Sequence, residues 1–215
     1  MPKRFSILQM LNINAVCKML LLGMSSKAEI LSTIIKNRRS IFPESYTQQE
    51  IPKHIIEQIL ESANYAPTHK LTQPWRFTVI RKEGKAKLGA ELGRIYREVV
   101  PAEKFLQKKY DSFGQKTSQA EVIIAINIQF HEDKVPNWEE IAAVGCAVQN
   151  MALTAEALNV GAYWSSPPLI DHLGNFLGLA ENEKCYGLFY MGYHHAEQRE
   201  ANRTPMVDKV KWIEG

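Results

Sequence analysis

The chain has 215 residues, enough for one domain whose core needs no disulfide or metal staples. Its net charge is only +3 and its basic residues are dispersed, which speaks against the concentrated cationic stripe of a nucleic-acid binder. Three cysteines, Cys17, Cys146 and Cys185, are odd in number and never form a C-x-x-C pair. That usage fits a reducing cytoplasm, with Cys146 and Cys185 expected as small buried core residues.

Residues 1–23 begin basic and carry the cluster Met19-Leu20-Leu21-Leu22, but Lys18 interrupts the apolar run and no small-residue cleavage site follows. They are expected to be a poorly ordered extension, with the working domain spanning 24–215. No stretch approaches the roughly 20 apolar residues that cross a bilayer, so no membrane partner is expected. Ser26 and Glu29 form a capping box ahead of an amphipathic helix on Ile30, Leu31, Ile34 and Ile35, which delivers Arg38-Arg39-Ser40 at its end. A second helix starts near Pro52 and carries Ile55, Ile56, Ile59, Leu60 and Ala63.

Pro67 and Pro74 bracket a loop, after which Trp75, Phe77 and Val79 alternate with polar residues as a strand with one buried face does. Leu88 to Val99 keeps helical spacing, and the polar stretch from Glu103 to Gln119 is predicted helical as well. Val122 to Ile128 is a continuous, largely β-branched run, the mark of a central strand covered on both faces. From Trp138 to Leu158 a long helix has a small-residue middle (Ala142, Ala143, Gly145, Cys146, Ala147), which predicts close packing in the core or at a subunit interface. Short strands follow at Gly161–Trp164 and Tyr186–Met191, with a short helix from Asp171 to Leu177 stopped by Gly178. Strands and helices intermix without a regular βαβ cadence, so a single α+β domain is expected.

Several routes to chemistry are missing. No G-x-G-x-x-G or G-x-x-x-x-G-K-[ST] phosphate loop occurs, nor H-E-x-x-H, nor a zinc-type Cys/His spacing. Ser165-Ser166 lacks the G-x-S-x-G elbow of a serine nucleophile, and His194-His195 fit an exposed segment after a strand better than a metal site. No metal is expected.

Three segments remain. Arg38-Arg39-Ser40 offers two guanidinium forks and a hydroxyl, suited to a phosphate and a neighbouring polyol, or equally a solvated basic helix end. The loop Ala66 to Trp75 is stiffened by prolines and supplies Thr68, His69, Lys70 and Gln73; it suits the polar edge of a planar heterocycle, or is merely a turn before a core tryptophan. Gly161-Ala162-Tyr163-Trp164-Ser165-Ser166-Pro167-Pro168 could wall one side of a flat ligand, or simply end a strand.

The order of these segments is more specific than any one of them. R-R-S, then A-P-x-x-x-x-x-Q-P-W-x-F, then a long small-residue helix ending in G-A-Y-W resembles the nitroreductase family of flavoproteins over Arg38 to Tyr193, in its compact, minimal-core branch. The resemblance implies a three-layer α+β fold, with a central mixed, mainly antiparallel sheet flanked by helices, in an interlocked homodimer. It implies FMN at the subunit interface and NADH or NADPH as electron donor. Arg38, Arg39 and Ser40 would hold the phosphate and ribityl chain, with Arg203 as a further basic contact. Tyr65, Pro67, Thr68, His69, Lys70 and Gln73 would belong to the loop that reaches the partner's flavin, and Trp164, Ser165 and Ser166 would line the flavin of their own subunit.

The implied activity is reduction of small electron-poor acceptors, nitroaromatics or quinones, in a ping-pong cycle with hydride passing through flavin N5. No catalytic side chain is then required, because FMN carries the chemistry and the protein binds, orients and tunes it. Lys70 is the candidate for stabilising reduced flavin. The loop reads Thr68-His69-Lys70-Leu71-Thr72 where larger members carry Ser-x-x-Asn, and Tyr65 stands where a basic residue is expected. Other chemistry on the same fold (enone reduction, dehalogenation) and a non-catalytic flavin-binding module stay open as alternatives.

Overall fold

The computed structural model describes residues 26–215; the expected extension over residues 1–23, and Cys17 within it, lie outside the described residues. The chain divides between Lys36 and Asn37, and the unit from Asn37 to Gly215 carries the sheet and the candidate site. Helix α1 (Lys27–Asn37) opens on the capping box: the Ser26 N–H donates to Glu29 Oε2 at 2.7 Å and the Glu29 N–H to Ser26 Oγ at 3.2 Å.

Four strands form one sheet: β1 (Trp75–Ile80), β2 (Val122–Gln129), β3 (Gly161–Ser165) and β4 (Glu183–Gly192), in the order β1-β2-β4-β3. Every pairing among the described residues is antiparallel, where the resemblance implied some parallel component as well. The β-branched run of β2 lies between β1 and β4, and seven of its eight residues are buried, as two covered faces demand. β1 departs from its expected alternation. Val79 is 41% exposed, because an edge strand lacks a neighbour on one side to complete its cover.

Alternate residues of β2 feed two cores. Val122, Ile124, Ile126 and Ile128 meet α2 (Lys53–Ala63) and α5 (Asn137–Ala157). Ile123 and Ala125 meet α3 (Glu83–Val99) and α4 (Gln107–Gln119) on the other face. Each fully buried aliphatic side chain here contributes roughly 1.5–3 kcal/mol by leaving water. Gly89 lets α3 and α4 cross closely: a Cβ there would stand 2.5 Å from Thr117 Oγ1 and 3.1 Å from the Gly114 Cα. A short α6 (Gly174–Leu177) ends at Gly178 in the left-handed conformation (φ 67°), as the glycine stop predicts.

β4 contains a bulge between the partners of Ile126 and Asn127, with Tyr186 as the extra residue. The bulge reverses the strand's parity: Phe189 and Met191 face the α2/α5 core, as Tyr186 also does, while Cys185, Leu188 and Tyr190 face the other.

The two described cysteines differ. Cys185 is buried as expected, and burial pushes its thiol up to about 11. Cys146 is exposed, contrary to the expected core position. Val144, Ala147, Val148, Met151 and Ala155 take the inward stripe of α5, and helical geometry turns Cys146 outward with Ala142. A thiol reagent at about pH 8 should leave Cys185 unmodified until the protein is denatured, because the thiolate is the reacting form. Peptide mapping by mass spectrometry checks this, and labelling of Cys185 in the folded protein would contradict its burial.

Candidate functional site

The loop after α2 is held in an unusual backbone state. Lys70 (φ 49°), Leu71 (φ 53°) and Gln73 (φ 44°) all sit in the left-handed region without being glycine. Each such residue costs of order 1–3 kcal/mol, and such strain clusters at ligand sites. Side chains stabilise the shape: Thr68 Oγ1 accepts the Gln73 N–H at 3.0 Å and lies 3.2 Å from Thr72 Oγ1. The Gln73 carbonyl accepts from Arg76 Nη1 at 2.9 Å. His69 Nδ1 lies 2.5 Å from Glu139 Oε2, and Lys70 Nζ donates to the Lys134 carbonyl at 2.7 Å. Tyr65 and Leu71 are 78% and 79% exposed, and Pro67 and Gln73 are exposed beside them.

Sequence reading missed what holds this loop. Glu139 and Glu140 look like first-turn carboxylates placed to favour the helix dipole. Glu140 is instead 1% exposed, and it accepts the His131 backbone N–H and faces His131 Nδ1, both at 2.8 Å. It thereby pins the turn that presents the Lys134 carbonyl to Lys70. A short acidic pair just after a proline is the only trace of this in the sequence.

Arg38, Arg39 and Ser40 leave α1 and run beside β3: the Ile41 N–H donates to the Ala162 carbonyl at 3.1 Å, and the Phe42 ring packs 4.9 Å from that of Tyr163. Tyr46 fixes the same turn by donating its hydroxyl to the Ile41 carbonyl at 2.7 Å; burial raises its pKa well above the ordinary phenol value. The half-buried Arg38 guanidinium makes no hydrogen bond or ion pair with the described residues, nor does the exposed Ser40 hydroxyl. Arg39 differs. Its Nε donates to the Arg199 carbonyl and its Nη1 to the Arg38 carbonyl, both at 2.8 Å. Arg203 is exposed on the C-terminal arm and donates to the Asn202 carbonyl at 2.7 Å.

At the far end of β3, Trp164 is 39% exposed and donates its indole N–H to the Tyr186 carbonyl at 3.0 Å. The β4 bulge presents that carbonyl, and Gly187 leaves room for the indole. Ser165 is half-buried and Ser166 exposed, following Trp164 on the same strand end. His195 is exposed as expected, whereas His194 is half-buried, packing over Gly161 and accepting the Ala196 N–H at 3.2 Å. Among the described residues no group of His, Cys, Asp and Glu could hold a metal ion, and no helix is long and apolar enough to cross a membrane.

The predicted residues thus form two groups. Arg39 lines a cavity with Glu156, Asn159 and Val160 at the C-terminal end of α5, while His69 meets Glu139 at its N-terminal end. The 21 residues of α5 separate these groups by about 30 Å at 1.5 Å per residue. One chain does not bring them together.

The Nitroreductase family profile matches residues 35–193, which include every predicted site residue except Arg203. The chain is 28% identical over 183 residues to the Bacillus subtilis protein named "Putative NAD(P)H nitroreductase YfhC", covering 84% of this chain and 92% of that one. A nitroreductase-like family protein from Bacillus cereus superposes with a TM-score of 0.73 at 24% identity, covering 86% and 96% of the two chains. A crystal structure from Desulfovibrio desulfuricans, described as a putative nitroreductase in complex with FMN, gives a TM-score of 0.66 at 26% identity and the same coverages. The strained loop, the R-R-S turn and the Trp164 strand end therefore stand in a known frame: this chain belongs to the nitroreductase family.

Proposed function

We propose that the protein is an FMN-dependent, NAD(P)H-oxidising oxidoreductase that acts in the cytoplasm as a homodimer and reduces small electron-poor acceptors, nitroaromatics or quinones. The observation that carries this reading is the Arg38 guanidinium, half-buried beside Ser40 and without an anionic partner among the described residues. A guanidinium fork with an adjacent hydroxyl matches the oxygens of a phosphate monoester, so the donor set fits the phosphate end of FMN. Arg38 and Ser40 would hold that end, with Arg203 adding charge from the arm. Trp164, Ser165 and Ser166 would line the ring, and the Tyr65–Gln73 loop would close on it from a second subunit.

The separation of the two groups along α5 supports a shared site, since each needs a second copy to supply the other. Apolar surface supports it too: Leu71, Trp138, Val207, Trp212 and Ile213 are each at least 68% exposed on the chain. The outward face of α5, with Ala142 and Cys146, is small enough for close helix approach.

When bound, FMN supplies two-electron transfer from a nicotinamide to the acceptor. The chain's own part is to orient the ring through the strained loop, to exclude water with Trp164 and Leu71, and to set Lys70 and His69 at the ring's edge. Lys70 keeps two ammonium hydrogens beyond the one given to Lys134, and would place a positive charge and a donor toward a bound ring. Purified protein should show flavin absorption that bleaches when NADPH or NADH is added anaerobically, and the faster donor identifies the preference. A protein that neither carries nor takes up FMN would sink the reading.

A further inference from the structure

Two adjacent arginines reach the same turn, but their surroundings differ. Arg39 projects into a cavity of about 240 Å³ whose lining includes Glu156, Glu197, Asn159 and His194; Arg38 does not line it. Two carboxylates at its wall make that cavity a poor place for a phosphate. The Arg39 guanidinium reaches main-chain carbonyls there. It donates to Arg199 O and Arg38 O, while Arg199 Nη2 donates back to Ser40 O at 2.9 Å. The exchange is reciprocal and spans 160 residues of sequence in one direction and 159 in the other.

We propose that Arg39 and Arg199 form a clasp that docks the C-terminal arm onto the R-R-S turn, making Arg39 a positioning residue and leaving phosphate recognition to Arg38, Ser40 and Arg203. The proposal rests on the FMN reading given above. The clasp immobilises the carbonyls of residues 38 and 40, on both sides of the segment from which the Arg38 and Ser40 side chains leave. It also fixes the arm four residues before Arg203. Arginine suits the task because one planar fork serves two carbonyls at once, which a lysine ammonium does without fixed direction. Each side chain holds a main-chain carbonyl, so Arg39→Ala leaves the Arg199–Ser40 bond in place, Arg199→Ala leaves the Arg39–Arg199 bond, and only the double deletion opens the clasp fully.

Titrating FMN and riboflavin separately into apoprotein variants tests this, because the two ligands differ only in the phosphate. Arg38→Ala should weaken FMN about 10- to 100-fold and abolish the preference for FMN over riboflavin, the usual effect of losing a charge-assisted contact. Arg39→Ala and Arg199→Ala should each weaken FMN several-fold and retain a preference for it. The double variant should bind FMN more weakly than either single one, because only it removes both halves of the clasp, and should still prefer FMN to riboflavin. Cleavage by proteinase K within residues 197–215 should accelerate in Arg39→Ala and Arg199→Ala, most in the double variant, and stay at the wild-type rate in Arg38→Ala.

The proposal is overturned if Arg39→Ala abolishes the FMN preference as Arg38→Ala does while Arg199→Ala is silent, which would make Arg39 a phosphate ligand. Loss of the FMN preference in the double variant, with Arg38 and Ser40 intact, would overturn it as well. If the wild-type protein binds neither flavin, the FMN reading fails by itself, and proteolysis of the arm then decides the clasp alone.

Discussion

Gly187→Ala should lower the melting temperature by about 5–15 °C, the shift expected when about 2–5 kcal/mol is lost from a chain of this length. The methyl group would collide with the Trp164 indole nitrogen, and would stand 2.5 Å from its Cδ1 and 2.8 Å from the Ser165 carbonyl. None of these neighbours yields easily, since the indole is held by the Tyr186 carbonyl and Ser165 belongs to a paired strand. Gly187 also has φ of 151°, which side-chain-bearing residues rarely adopt, so strain of about 1–3 kcal/mol adds to the overlap. The indole must leave its seat, and the wall of the proposed flavin site leaves with it. A shifted tryptophan emission spectrum and weakened FMN retention should accompany the lower melting point. An unchanged melting curve would mean that the bulge does not seat Trp164.

Glu140→Ala should destabilise the protein by about 2–4 kcal/mol, measured from the urea midpoint, because it strands a buried donor. The His131 N–H loses its acceptor, and the carboxylate's place is too enclosed for ready solvation at 1% exposure. Glu140→Gln keeps an amide oxygen for that N–H and should retain most of the stability. The damage should reach the site by a defined route: a loosened turn at residues 131–136 withdraws the Lys134 carbonyl from Lys70. Hydrogen exchange at His131 should rise in Glu140→Ala. Equal stability of the alanine and glutamine variants would show that the carboxylate oxygens contribute nothing there.

Much of the frame was legible because burial leaves a periodic trace. β2 announced itself by a largely β-branched run, and α2 by apolar residues at helical spacing. The same logic failed where the pattern is flat. In α5, small apolar residues occupy every face around Ala143, so nothing in the order of residues says that Cys146 points out and Ala147 in. Val79 misled for a related reason: alternation predicts which face a residue takes, not whether a neighbour covers it.

The candidate site was legible as a set of segments, through their order along the chain, but its supports were not. Glu140 resembles an ordinary helix-start acid until its burial is seen, and Arg199 resembles one more surface cation on a polar tail. Glu140 acts on a main-chain group nine residues back and Arg199 on one 159 residues away, and main-chain partners leave no residue type to recognise. The left-handed Lys70, Leu71 and Gln73 were equally hidden, since no glycine marks the places where the backbone turns.

The strand order β1-β2-β4-β3 also governs when the molecule can come into being. Among the described residues β3 pairs with no strand but β4, and β2 waits for the same late strand to cover its second edge. A ribosome that has released everything up to α6 therefore exposes one paired couple, β1 with β2, and a β3 without its strand partner. Such long-range closure is slow, and the open second edge of apolar β2 is exposed to mispairing meanwhile. The Trp164 seat, made by β4, is among the last features to assemble, so the proposed flavin wall and the completed sheet arrive in one late event.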